Sequence, residues 1–67
     1  MHRFLNLKGQ MILINLNHVT MAEELDGSHI FPHPSGQIHG PGVSLWFSPE
    51  FCIIVNSTIA QIEALSK

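Results

Sequence analysis

The stretch that decides the fold is Met11-Ile12-Leu13-Ile14-Asn15-Leu16. Alternate side chains of a β-strand point to opposite faces, and this stretch is apolar on both. One face would carry Met11 and Leu13, and the other Ile12, Ile14 and Leu16. A strand with one face in water usually alternates apolar and polar residues, so this pattern predicts a strand covered on both sides.

The chain has 67 residues, which predicts one small domain spanning residues 1–67. A core of this size barely offsets the conformational entropy lost on folding, and similar natural chains usually add disulfides, a metal ion or a partner subunit. An intrachain disulfide is excluded because Cys52 is the only cysteine. We interpret Cys52 as a small core residue in a reducing compartment, the alternative being a reactive thiol.

Charged residues are scarce, at 12% of the chain against 45% hydrophobic residues. This charged share is about half the usual value, which favours self-association as a homodimer or larger homo-oligomer. The net charge is −2, and the only basic residues are Arg3, Lys8 and Lys67. Proteins that bind nucleic acid neutralise phosphates with many such residues, so nucleic acid is not an expected partner.

The apolar runs are far shorter than the roughly 20 residues of a membrane-spanning helix. No apolar core of a secretory signal follows Arg3 near the N-terminus. We therefore expect a cytoplasmic protein with no membrane partner.

Two β-hairpins are predicted. The first covers residues 2–16, with Gly9 supplying the turn between two apolar strands. The second joins strands at residues 43–47 and 51–55 through the turn Ser48-Pro49-Glu50, where proline suits the second turn position. Both signals are local, so the two hairpins are predicted independently of each other.

The middle of the chain is harder to interpret. Residues 19–25 form either a further strand or a short helix, since Met, Ala, Glu and Leu are strong helix formers. We prefer the strand because Asp26-Gly27 follows and a two-turn helix would be isolated. Residues 26–42, rich in Gly, Pro and His, predict a long loop that is either functional or disordered. Its apolar residues Ile30, Phe31 and Ile38 are anchors that could fold part of it onto the sheet.

A C-terminal helix of about ten residues is predicted after Thr58, which forms a capping-box pattern with Gln61. Its apolar stripe is Ile59, Ile62 and Leu65, which would pack on one face of the sheet. The expected fold is therefore α+β. It has four to five short antiparallel strands in two hairpins, a long Gly/Pro/His loop at residues 26–42 and one C-terminal helix packed on the sheet.

Histidines are the one cluster of residues with potential chemistry. His29, His33 and His39 lie in the 26–42 loop, and His18 could approach from the preceding turn. Imidazole is a common zinc ligand, and three histidines would leave one coordination position open. The spacing matches no zinc signature, so the alternative is that these are solvated loop histidines. Apart from this possible zinc or similar metal, no cofactor is expected.

Catalysis has little support in the sequence. Glu23 and Glu24 are adjacent, so on a strand they would face opposite ways and could not act as a carboxylate pair. No Ser-His-Asp arrangement, phosphate-binding glycine loop or CxxC motif occurs. We therefore expect a protein that is not an enzyme.

Several apolar residues are candidates for an interface with another protein or a second copy. Trp46 lies on the otherwise polar face of its strand, so it is either an exposed anchor or covered by the helix or the loop. Ile54 shares that face if the second hairpin pairs in register. The full set of predicted interaction residues is Ile12, Ile14, Phe31, Trp46 and Ile54.

The order of the elements resembles that of the FlbD-type small flagellar proteins. The matching segments are Leu5-Asn6-Leu7-Lys8-Gly9, Ile12-Leu13-Ile14-Asn15, Val19-Thr20-Met21-Ala22-Glu23, two strands at Val43–Phe47 and Cys52–Val55, and a helix at Ser57–Leu65. The resemblance spans the chain except residues 26–42. The C-terminal half also resembles the strand-strand-helix end of LytTR-type DNA-binding domains, although the scarcity of basic residues argues against that function.

Three classes of function follow from these patterns. The leading one is a small non-enzymatic interaction or regulatory protein that acts as a homo-oligomer, such as an accessory assembly factor or a phage-type inhibitor of a host protein. The second is a metal- or small-ligand-binding module that uses the histidines. The third is a nucleic-acid-associated regulator.

Overall fold

The computed structural model describes residues 1–27 and 29–66, and this part of the chain holds seven strands and one α-helix. The strands are β1 (His2–Leu5), β2 (Met11–Ile14), β3 (Met21–Glu24), β4 (His29–His33), β5 (Gly36–Gly40), β6 (Gly42–Ser48) and β7 (Phe51–Asn56), and the helix is α1 (Ile59–Leu65). The α+β class is confirmed. The expected number of four to five strands is wrong.

The strands form three antiparallel sheets. β1 pairs with β2, β4 pairs with β5, and the third sheet has the order β3-β6-β7. A single bridge between Asn6 and Val55 links the end of β1 to β7. The β1–β2 hairpin thus joins the three-stranded sheet at one point, beside the outer edge of β7.

The first predicted hairpin is confirmed, and its turn depends on two residues. The Asn6 side chain accepts hydrogen bonds from the backbone N–H groups of Lys8 and Gln10, at 3.0 and 2.9 Å. Gly9 has a φ of +78°, which glycine adopts without steric cost. A Cβ atom at Gly9 would also lie 2.5 Å from the carbonyl oxygen of Pro32, so β4 passes close over this turn.

The second hairpin and the preferred strand in residues 19–25 are also confirmed. β6 and β7 pair with Val43 opposite Val55 and Leu45 opposite Ile53, and an irregularity separates Trp46 from Ser48. β3 occupies the other side of β6, with Ala22 opposite Leu45. This places β6 in the centre of its sheet, where its side chains are the most buried of any strand.

Residues 26–42 differ from the predicted loop, because β4 and β5 form a hairpin there. Proline is compatible with this hairpin since each strand of a two-stranded sheet keeps one free edge, where a missing N–H breaks no ladder bond. Gly36, with a φ of +131°, follows the turn that reverses the chain. Of the three predicted apolar anchors, Phe31 is fully buried and holds part of the segment on the protein, whereas Ile30 is 45% exposed.

One core cluster lies between the β1–β2 hairpin, the three-stranded sheet and α1. Its buried members are Phe4, Ile14, Val43, Leu45, Val55 and Ile62. The predicted capping box starts the helix: the Thr58 hydroxyl accepts from Gln61 N–H, and the Gln61 side chain accepts from Thr58 N–H, each at 3.1 Å. The helix has seven residues rather than about ten, and it places Ile62 in the core.

Within this chain the opening strand is covered on one side only. Its Ile14 face packs in the core, with Ile14 itself 4% exposed. Its other face remains open, with Met11 55% and Leu13 63% exposed. The single helix lies on the core side, and the β4–β5 hairpin leaves these two side chains in solvent.

Candidate interaction surface

An apolar groove separates the β1–β2 turn from β7. The part nearest the turn has a volume of about 460 Å³. Its lining residues are Asn6, Leu7, Lys8, Gln10, Ile12, Phe51, Cys52, Ile53 and Ile54. Four of them are consecutive residues of β7, and successive residues of a strand point to opposite faces. This part of the groove therefore runs along the edge of β7.

A second depression of about 440 Å³ continues from the first along β2. Its lining residues are Ile12, Leu13, Ile14, Asn15, His18, Phe47, Phe51 and Ile53. The two depressions share Ile12, Phe51 and Ile53, so they form one continuous surface, which we name the β2–β7 groove. Its walls come from both hairpins that the sequence predicts.

Large apolar side chains lie exposed in this groove. Leu7 is 41% exposed, and Leu13 and Phe51 are 63% and 55% exposed. The Phe51 ring packs against the Phe47 ring, with 5.8 Å between the ring centroids. Single exposed apolar residues are ordinary on protein surfaces, but several that converge on one concavity are typical of an interaction site.

Charge is sparse along the groove. Lys8 is the only Lys, Arg, Asp or Glu side chain among the described residues that line it, at the end next to the turn. Glu50 is exposed and immediately precedes Phe51, in the β6–β7 turn. The groove is therefore mostly apolar. Its neighbouring charges are Lys8, at the end next to the β1–β2 turn, and Glu50, just before the start of β7.

The five predicted interaction residues have different environments. Ile12 and Ile54 are half-buried and line the β2–β7 groove. Ile14 belongs to the core, and Phe31 is 0% exposed beneath the β4–β5 hairpin. Neither can serve as a surface anchor in this conformation, because burying their large side chains inside the monomer leaves almost no area for a partner.

Trp46 is half-buried and does not line the groove. Its indole Nε1–H donates to Glu23 Oε1 at 3.0 Å, across from β6 to β3. On the opposite face of β3, Glu24 Oε1 accepts from the backbone N–H of Ile59 at 3.2 Å, at the start of α1. The two adjacent glutamates thus face opposite ways, as predicted, and each binds its own partner.

The predicted metal ligands do not converge. In the β4–β5 register His39 lies opposite Ile30, so it occupies the face away from His29 and His33. Those two are four residues apart on one strand, a separation of about 13 Å. His33 Nδ1 is within 2.7 Å of Ser35 Oγ instead. Within residues 1–27 and 29–66, no group of three His, Cys, Asp or Glu side chains could hold a metal ion.

Three further side chains with potential chemistry are those of His29, Cys52 and His18. His29 Nδ1 is buried 3.9 Å from Asp26 Oδ1. The thiol of Cys52 is free and half-buried, on a strand at the groove rather than in the core. His18 lines the groove together with Leu13. It belongs to no group of three potential metal ligands among the described residues.

Sequence reasoning missed Leu7 and Phe51 as surface residues. Leu13 was on the second apolar face of the opening stretch, where the pattern indicated a need for cover. Phe51 was interpreted only as part of a two-faced strand, and no local signal shows which strand becomes an edge. Exposure of these residues depends on tertiary packing.

No protein-family model matches this sequence, and comparisons with curated proteins and with solved structures found no match. The resemblance to FlbD-type proteins therefore remains a prediction. In the described part of the chain, no helix has the length and apolar character needed to span a membrane.

Proposed function

We propose that this chain is a small non-enzymatic protein-interaction protein that acts in the cytoplasm as a homo-oligomer and associates through the β2–β7 groove. The observation that carries the proposal is the convergence of Leu7, Leu13 and Phe51 on one concave apolar surface. Full burial of such a side chain is worth about 1.5–3 kcal/mol, and these three are 41–63% exposed, so a partner that covers them gains roughly half of that value for each.

The non-enzymatic part of the proposal is supported by the partners and positions of the polar side chains. Glu23 and Glu24 bind Trp46 and Ile59 on opposite faces of β3. The loop histidines are divided between the two faces of the β4–β5 hairpin. An accessory assembly factor or an inhibitor of another protein fits this pattern, since both act by contact.

The proposal is tested by the mass of the purified chain in solution, measured by light scattering across a range of concentrations. We expect an oligomer that dissociates when Phe51→Asp places a charge in the groove. Ile30→Asp is the matched control, because Ile30 is similarly exposed but lies on β4, outside the groove. Circular dichroism would verify that both variants keep their fold. A wild-type chain that is monomeric at every concentration would refute the proposal.

A further inference from the structure

β7 is an edge strand with an unprotected side. Within the described residues, it pairs with β6 on one side, and β1 reaches its other side only at the bridge from Asn6 to Val55. Edge strands of natural sheets are usually guarded by charges, prolines or bulges. The bridge sets Leu7 opposite Ile54, so the open part of this edge is Phe51-Cys52-Ile53, which has no charge and no proline and is available to another strand.

The hydrogen-bond pattern shows which residues of β7 point outward. Just beyond the strand ends, Ser57 N–H donates to the Pro41 carbonyl at 3.2 Å. Antiparallel pairs alternate between hydrogen-bonded and non-hydrogen-bonded positions. Two pairs that are an even number of residues apart along the strands are of the same kind. The Leu45–Ile53 pair is therefore hydrogen-bonded, like the pair of Pro41 and Ser57. The backbone N–H and C=O of Cys52, one residue earlier, therefore point away from β6 into the groove.

We infer that β7 pairs in antiparallel fashion with β7 of a second copy, about a two-fold axis at Cys52. This inference rests on the proposed self-association and specifies how it occurs. Each three-stranded sheet would continue into its copy, giving one six-stranded sheet. Phe51 would lie opposite Ile53 of the second copy, on the face that the groove leaves open.

The register follows from two constraints on the edge. Outward-pointing residues must pair with outward-pointing residues, and the end of β1 already occupies the edge from Ile54 onward, because the bridge of Asn6 to Val55 sets Leu7 opposite Ile54. An axis at Cys52 satisfies both, because Cys52 then exchanges hydrogen bonds with its own copy. An axis at Ile53 would pair Cys52 with Ile54, where Leu7 already lies. An axis at Phe51 would pair Cys52 with Glu50, which belongs to the β6–β7 turn.

Charge identifies the second copy as the occupant. With the axis at Cys52, the paired segment covers residues 51–53, and Glu50, in the turn just before it, comes next to Ile54 of the other chain. Ile54 and Lys8 line the same part of the groove, so each glutamate arrives beside the lysine of the other copy. Lys8, the only Lys, Arg, Asp or Glu among the described residues of the groove, is thereby matched by Glu50, the charged residue that adjoins the pairing segment. A two-fold interface must be self-complementary in this way.

The first test is a thiol cross-link between two copies of the wild-type chain. Directly opposed residues at a hydrogen-bonded position have Cα atoms about 5.5 Å apart, within the roughly 4.4–6.8 Å range of disulfides. Mild oxidation or a short bis-maleimide should give a covalent dimer through Cys52 at dilute protein concentration. The control is Leu13→Cys in a Cys52→Ser background, which places an exposed thiol on β2. Equal or faster cross-linking of that control would overturn the inference, since it would indicate pairing through β2.

The second test uses the charges and needs no cysteine chemistry. Glu50→Lys and Lys8→Glu should each weaken the dimer by about tenfold, and the double variant should restore most of the affinity. Glu63→Lys is the matched control, because Glu63 is exposed on α1 and makes the same change in net charge. A dimer insensitive to both substitutions would overturn the β7 pairing while leaving the proposed function intact. A monomeric wild-type chain would overturn both.

Discussion

Replacing Phe31 with alanine tests whether the Gly/Pro/His segment is a packed part of the fold. Phe31 is fully buried on β4, its ring centroid lies 6.4 Å from that of His29, and the neighbouring Pro32 passes close over Gly9. Removing a buried phenylalanine side chain costs about 3–5 kcal/mol. A chain of this length has a free energy of unfolding of only about 3–10 kcal/mol, so the loss is a large fraction of the total.

The architecture limits how this loss is expressed. The β4–β5 hairpin pairs with no other strand in the described part of the chain, so it can detach while the core around Leu45 stays folded. We therefore expect the loss in the free energy of unfolding to equal either the cost of the cavity or the free energy with which the hairpin docks, whichever is smaller. In either case the backbone amides of residues 29–40 should lose protection before those of β6 and β7.

The assay combines urea unfolding, followed by circular dichroism and tryptophan fluorescence, with amide hydrogen exchange. Phe31→Ala should lower the urea midpoint by at least about 2 M if unfolding is global, given slopes near 1 kcal/mol per molar for small proteins. Ile30→Ala is the control, because this neighbour points to the exposed face and should change stability little. The reasoning is refuted if the two variants have equal midpoints and equal exchange rates across residues 29–40.

Four further substitutions have defined outcomes in the same unfolding assay. Gly9→Ala should destabilise by more than about 1 kcal/mol, because it combines positive φ with a clash at the Pro32 carbonyl, whereas Gly27→Ala, with positive φ but open space, should cost only the conformational penalty. Thr58→Ala removes the helix cap and should cost about 1 kcal/mol. Glu23→Ala removes the acceptor of the indole N–H, so it should shift tryptophan emission while costing under about 1 kcal/mol.

The features that could be predicted from the sequence are those with local causes. Gly9 determines the first turn through its positive φ, and the Thr58 and Gln61 side chains cap the helix within one turn of chain. Alternating apolar residues placed both predicted hairpins correctly, and the second hairpin pairs Val43 with Val55. Each of these signals lies within a few residues of the structure that it specifies.

The β4–β5 hairpin was missed because its residues are poor strand formers in isolation. Pro32 and the flanking glycines are penalised in a central strand, yet a two-stranded hairpin has an outer edge on each side. Its stability comes instead from contacts distant in sequence, above all the burial of Phe31 and the close approach to Gly9. The sequence His29-Ile30-Phe31-Pro32-His33 does not alternate apolar and polar residues, so it lacks the period of two that indicates a strand.

The candidate surface could be predicted only in part, because edges matter more than faces in this fold. Three small sheets present several open strand edges, and one seven-residue helix cannot cover them all. β3 is guarded by Glu23 and Glu24 and lies beside α1, while β4 contains Pro32. β2 and β7 carry no such protection. β7 is the longer of these two strands, and the charges beside it, Lys8 and Glu50, have opposite signs. Because each can pair with its opposite on another copy, these charges favour a second copy of the chain over an unrelated strand.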